Sequence, residues 1–125
     1  MKKLLIVDDT NIVRAMLKAH LKGTFEIMEA INADDALDKI PTFQPDAIVL
    51  DIQMPEGTMD GNELCKVLKT DLKTKDIYIL MLTADWRTVQ KEGDDFAAND
   101  FTFKPFHGKD ILAMLKKGMG LEEKQ

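Results

Sequence analysis

Ala47-Ile48-Val49-Leu50 is an unbroken apolar run that ends on Asp51. A strand with one wet face alternates apolar and polar residues, so a continuous run points to a strand covered on both faces. Two further runs have the same form. Leu4-Leu5-Ile6-Val7 leads into Asp8-Asp9, and Ile79-Leu80-Met81-Leu82 leads into Thr83-Ala84. Working outward from these, the expected strands are 3–7, 25–30, 47–50, 78–82 and 101–103.

The intervening segments carry the helical period. Ile12, Val13, Met16, Leu17 and Leu21 make one apolar stripe, opened by the capping candidates Thr10 and Asn11 and closed by Gly23. A second helix runs over 33–40, capped by Asn32 and stopped by Pro41. Leu64, Val67 and Leu68 line a third, and Ile111, Leu112 and Leu115 line the last. Gly93 and Asp94-Asp95 weaken any helix over 88–96, which is expected to be short or mobile. Alternating strands and helices in a chain of 125 residues predict one α/β domain spanning residues 1–125. The expected architecture is a doubly wound, flavodoxin-like parallel sheet of order 2-1-3-4-5 with helices on both faces. Such sheets bind ligands at the carboxyl ends of their strands, where the strand order reverses.

Composition narrows the function. The net charge of −5 argues against a nucleic-acid partner, because phosphate backbones are held by surplus Lys and Arg. A single cysteine, Cys65, allows no internal disulfide and suits a reducing, cytoplasmic compartment. The first apolar run is only four residues long, too short for a signal core or a membrane span.

The chemistry gathers at the strand ends. Asp8-Asp9, Asp51, Thr83-Ala84 and Lys104-Pro105 each follow an expected strand directly, so four of the five strands deliver polar groups to one edge. Three converging carboxylates repel one another, and a hard cation relieves the repulsion. Mg²⁺ prefers oxygen ligands and works through one or two carboxylates together with a phosphate oxygen. Lys104 supplies a positive point charge for a phosphate oxygen or for Asp51 itself, and Thr83 supplies a hydroxyl donor. Phosphoryl transfer needs chiefly position and charge neutralisation, and a carboxylate can be the attacking group.

At these residues the chain resembles the response-regulator receiver family of two-component signalling over essentially its whole length. The resemblance rests on Val7-Asp8-Asp9, on Leu50-Asp51-Ile52-Gln53-Met54-Pro55 with Asp60-Gly61, on Leu82-Thr83-Ala84, and on Phe103-Lys104-Pro105-Phe106. Each motif is weak alone; the four in order are specific. The resemblance implies that Asp51 is the phosphoacceptor. It makes Asp8 and Asp9 the Mg²⁺-binding pair, with the backbone carbonyl of Gln53 as a further ligand. Thr83 becomes the switch hydroxyl, Lys104 the phosphate-binding lysine and Phe101 the switch aromatic, and the bond before Pro105 is expected to be cis. Gln53 and Asp85 are expected to tune the lifetime of the acyl phosphate. The implied partners are a histidine kinase or histidine phosphotransfer protein and a downstream target protein, with no nucleic acid and no membrane. A monomer is expected, with phosphorylation-dependent dimerisation as the alternative. Because only a short polar tail follows Lys117, the expectation is a stand-alone regulator of the chemotaxis kind, with a fragment of a longer regulator as the alternative.

The chain also departs from the family pattern. Glu56-Gly57-Thr58-Met59 makes the loop before Asp60 about two residues longer than usual. Phe101 stands where Tyr is commoner, and Ala97-Ala98-Asn99-Asp100 replaces a Gly-Ala-Asp-Asp run. Arg14, Lys18, Lys116 and Lys117 are read as solvated, His20 and His107 as surface or packing residues, and Cys65 as chemically inert. Trp86 divides evenly between a packing aromatic and a partner contact. Two other functions compete. One is a receiver-like interaction module that is never phosphorylated. The other is a haloacid-dehalogenase-like phosphatase, disfavoured because Asp8 and Asp9 are adjacent and Lys104 follows the acidic residues of 94–100.

Overall fold

The computed structural model describes residues 1–53, 59–83 and 97–121. Five parallel strands form one sheet in the order β2-β1-β3-β4-β5, where β1 is Lys2–Val7, β2 Phe25–Ala30, β3 Ala47–Asp51, β4 Tyr78–Thr83 and β5 Asp100–Phe103. Four helices are described: α1 Asn11–Leu21, α2 Ala33–Phe43, α3 Gly61–Thr70 and α4 Gly108–Gly118. The weak helix expected over 88–96, together with Asp85 and Trp86, lies outside the described residues, as does all of the 56–59 loop except Met59.

The apolar runs are explained by two cores, one on each face of the sheet. Leu5, Val7, Ile48, Leu50, Ile79 and Met81 face α2 and α3. Their neighbours Leu4, Ile6, Ala47, Val49, Leu80 and Leu82 face α1 and α4. Successive side chains of a strand point to opposite faces, so a strand covered on both sides has no position left for a polar residue. Each fully buried Leu or Ile contributes about 1.5–3 kcal/mol of hydrophobic stabilisation. The register places Val7 of β1 beside Leu50 of β3, and Asp51 beside Leu82 of β4. The residues that follow these strands therefore open onto one edge.

Helix boundaries follow local chemistry with one departure from expectation, and two apolar residues expected inward face solvent. Asn32 caps α2 as expected, its side chain accepting from the Asp35 N–H at 2.8 Å. The helix does not stop at Pro41; it runs on to Phe43 and ends at Gln44, whose φ of 53° is left-handed. Proline removes one hydrogen bond near the end of the helix, and the extra turn buries Phe43 beside Ile40 and Ala36. In α1 the buried face is Arg14, Leu17 and Leu21, while Ile12 is 79% exposed. At about 100° per residue, Ile12 lies nearly opposite Arg14. In α3, Leu64, Cys65 and Leu68 are buried and Val67 is exposed. Asp60 starts α3 with a reciprocal cap: its carboxylate accepts from the Glu63 N–H at 2.8 Å, and the Glu63 carboxylate accepts from the Asp60 N–H at 3.1 Å.

Candidate functional site

Asp8, Asp9 and Asp51 meet where the strand order reverses between β1 and β3, each offering a carboxylate oxygen within 4.8 Å of the others. Asp8 and Asp51 are buried and Asp9 is exposed. The Asp51 carboxylate is held on both oxygens. The Gln53 N–H donates to Oδ1 at 3.2 Å, and Lys104 Nζ donates to Oδ2 at 3.2 Å. Lys104 reaches the site because β5 pairs with β4 up to Thr83, and the Lys104 N–H then donates to the Thr83 carbonyl at 2.8 Å. Thr83 is fully buried at the end of β4, and the Lys104–Pro105 peptide bond is cis. Phe101 is partly buried against the α2/α3 core and meets Phe103 edge to face at 5.4 Å.

Asp8 carries the electrostatic tension. Its Oδ1 accepts from the Thr10 N–H at 2.8 Å, while its buried Oδ2 has no hydrogen-bond partner among the described residues. Burial raises its pKa above the ordinary carboxylate value. The charges of Asp51 and Asp9 push the same way, against the Thr10 bond and Lys104. A carboxyl whose pKa is raised by folding costs stability at neutral pH, and that cost fades as pH falls through the raised pKa. A buried acceptor without a donor, beside two further carboxylates, is a donor set suited to a hard divalent cation such as Mg²⁺.

One prediction follows from this arrangement. Asp8→Asn removes a buried charge from a repulsive cluster and is expected to stabilise the metal-free protein by about 1 kcal/mol. It is also expected to diminish the stabilisation that Mg²⁺ gives the wild type. Thermal unfolding with and without Mg²⁺ measures both, and a less stable metal-free variant would contradict the electrostatic account.

The chain matches the response regulator receiver domain family over residues 4–116. It belongs to that family. Among curated relatives, it is 40% identical to the phosphate regulon transcriptional regulatory protein PhoB of Pseudomonas aeruginosa, over 92% of this chain and 50% of that one. It is 36% identical to the alkaline phosphatase synthesis transcriptional regulatory protein PhoP of Bacillus subtilis, over 92% and 47%. The chain thus spans about half the length of these regulators. Among solved structures, a response regulator from Chloroflexus aurantiacus superposes with a TM-score of 0.85 at 35% identity, covering 95% of this chain and 98% of that one. The chemotaxis response regulator CheY4 of Vibrio cholerae gives 0.84 at 31%, covering 94% and 98%. Membership makes this chain a receiver domain of two-component signalling and removes the ground for the haloacid-dehalogenase-like alternative. No helix among the described residues is long and apolar enough to cross a membrane.

The receiver's predicted site residues fall together. Asp8, Asp9, Asp51, Gln53, Thr83 and Lys104 lie at one end of the sheet, with Pro105 directly after Lys104 and Phe101 one strand residue below Thr102. Sequence reading missed two polar residues. Arg14, expected in solvent, is buried beneath the acidic pair, and Asn62 is buried at the start of α3, where its Oδ1 accepts from the Ala97 N–H at 3.2 Å. For Arg14 the signal was positional, since it sits at i−3 and i−7 from the buried Leu17 and Leu21.

Proposed function

We infer that this receiver accepts a phosphoryl group on Asp51 from the phosphohistidine of a histidine kinase or a histidine phosphotransfer protein. The observation that supports this most is the Asp51 carboxylate itself, buried at the end of a core strand between an acidic pair and a lysine. A carboxylate oxygen of Asp51 attacks phosphorus, the P–N bond to imidazole breaks, and an acyl phosphate forms while the imidazole takes up a proton. Asp8, Asp9, Asp51 and the backbone carbonyl of Gln53 would hold Mg²⁺, which when bound offsets the charge on the phosphoryl oxygens.

The other residues act directly. Lys104, paired with Asp51 before transfer, shifts to a phosphoryl oxygen. The Thr83 hydroxyl donates to another, and its movement lets Phe101 turn inward beside β4. The protein then shifts between two arrangements of the face carrying β5 and α4, which a downstream target protein reads. Amide NMR of residues 97–103 should change on phosphorylation; an unchanged spectrum there would remove the switch from this account. A cytoplasmic site belongs to the same proposal.

Intact mass after incubation with acetyl phosphate and Mg²⁺ tests the central claim. One phosphoryl group per chain is expected, and none when EDTA is present. No gain with any phosphodonor, including histidine kinases, would leave the non-phosphorylated module as the better reading.

A further inference from the structure

Arg14 is a charged residue on a buried helix face, and its side chain is only 10% exposed. Burying a guanidinium is costly unless its N–H groups are satisfied, so the partners it has found carry information. Nη1 donates to the backbone carbonyl of Asp8 at 2.6 Å. Nε donates to Glu29 Oε1 on β2 at 3.2 Å, and Nη2 donates to Asn11 Oδ1 in the first turn of α1. One side chain therefore ties together the end of β1, the adjacent strand and the helix that follows.

The contact with Asp8 sits at a particular place. The ladder between β1 and β2 ends with Val7 opposite Ala30, and the Asp8 N–H still donates to the Ala30 carbonyl at 3.1 Å. The Asp8 carbonyl lies beyond the last ladder pair, and Arg14 takes the place of the missing strand partner. That carbonyl belongs to the peptide unit joining Asp8 to Asp9. Fixing it fixes the direction in which Asp9 leaves the backbone. Asp9 is exposed and Asp8 is under repulsion from both neighbouring carboxylates, so the peptide between them is where the cluster would otherwise relax.

We propose that Arg14 is the positioning residue for the acidic pair, clamping the Asp8–Asp9 peptide so that both carboxylates keep the spacing a divalent cation requires. Glu29 holds the guanidinium in place, and the neighbouring Lys18 lies 3.7 Å from the other Glu29 oxygen. Arg14 touches neither phosphoryl group nor cation; it acts through the backbone. The inference rests on the reading that Mg²⁺ binds at the acidic pair. Groups that orient metal ligands typically cost 10–100-fold in affinity when removed, about the range expected here.

The test is the Mg²⁺ dissociation constant, measured by calorimetry on wild type, Arg14→Ala, Arg14→Lys and Glu29→Gln, with thermal unfolding alongside. Arg14→Ala should weaken Mg²⁺ binding by about 10-fold. Its phosphoryl uptake from acetyl phosphate should return towards the wild-type rate at saturating Mg²⁺. Arg14→Lys can still donate to the Asp8 carbonyl and should recover part of the affinity. Glu29→Gln keeps an acceptor for the Arg14 Nε–H but loses the charge that anchors the guanidinium, so it should weaken Mg²⁺ binding by less than Arg14→Ala does. If Arg14→Ala and Arg14→Lys lower the unfolding temperature with no change in Mg²⁺ affinity, Arg14 is a packing residue and the proposal is overturned. If the wild type itself binds no Mg²⁺, the reading beneath the proposal fails first, and the two failures are told apart by that single titration.

Discussion

Asp51→Asn is expected to take up no phosphoryl group from acetyl phosphate or from a phosphorylated histidine kinase under conditions where the wild type takes up one. The exchange preserves size and shape and removes the nucleophile, since an amide oxygen is far less able to attack phosphorus than a carboxylate. Loss through unfolding is not expected. Asp51 is one of the charges that push the Asp8 carboxyl upward, so neutralising it relieves repulsion within the cluster. What is given up is the pair with Lys104, whose side chain is 31% exposed and whose attraction is correspondingly screened. The variant should therefore unfold at or above the wild-type temperature while phosphorylation drops to nothing. Two measurements on one sample, intact mass and thermal unfolding, decide it. A folded Asp51→Asn protein that still gains a phosphoryl group would put the acceptor elsewhere and sink the reading.

That Asp51 could be picked out at all reflects how the fold writes itself into the chain. A strand covered on both faces leaves a continuous apolar run, and a carboxylate directly after such a run has no core role to explain it. The same logic exposed Asp8 and Thr83, while Lys104 stood out by its place between a short, partly exposed strand and Pro105; the strand order was expected from the alternation of strands and helices. Legibility failed where burial depends on a partner far away in sequence. Arg14 looks like a solvated helix residue until Glu29, 15 residues on, is placed beside it by the β1–β2 ladder. Asn62 looks like an ordinary polar residue after a cap, and its side chain accepts from the N–H of Ala97, 35 residues on, in the segment before β5. Ile12 and Val67 failed in the opposite direction, as apolar residues assigned inward that the helix period turns to solvent. Pro41 misled because local propensity argues for a stop, while the burial of Phe43 two residues later offsets the lost hydrogen bond.

Gly61 is the position where a single methyl group is expected to do the most structural damage. It is the first residue of α3, and its N–H donates to the Ile52 carbonyl at 2.9 Å. The Asp60 cap holds the helix start in that close approach. A Cβ at residue 61 would stand 2.5 Å from the Asp51 carbonyl oxygen and 2.7 Å from the Ile52 Cα. Both obstacles are backbone, so no side chain can swing aside to make room. Gly61 does not adopt positive φ, so conformational freedom is not what it provides; it provides space. This fixes the sign of the outcome against helix propensity, which by itself favours alanine over glycine by about 1 kcal/mol. Gly61→Ala is expected to destabilise by about 3 kcal/mol, the upper end of the usual cost of overpacking. It is also expected to slow phosphoryl uptake sharply, because the structure that must yield is the backbone that aims Asp51. Gly23→Ala is the matched control, since a Cβ there meets nothing within 4 Å. Chemical denaturation of both variants, with phosphorylation followed by mass, separates the cases. If Gly61→Ala proved as stable and as readily phosphorylated as Gly23→Ala, the end of β3 would not be the rigid support that the chemistry of Asp51 needs.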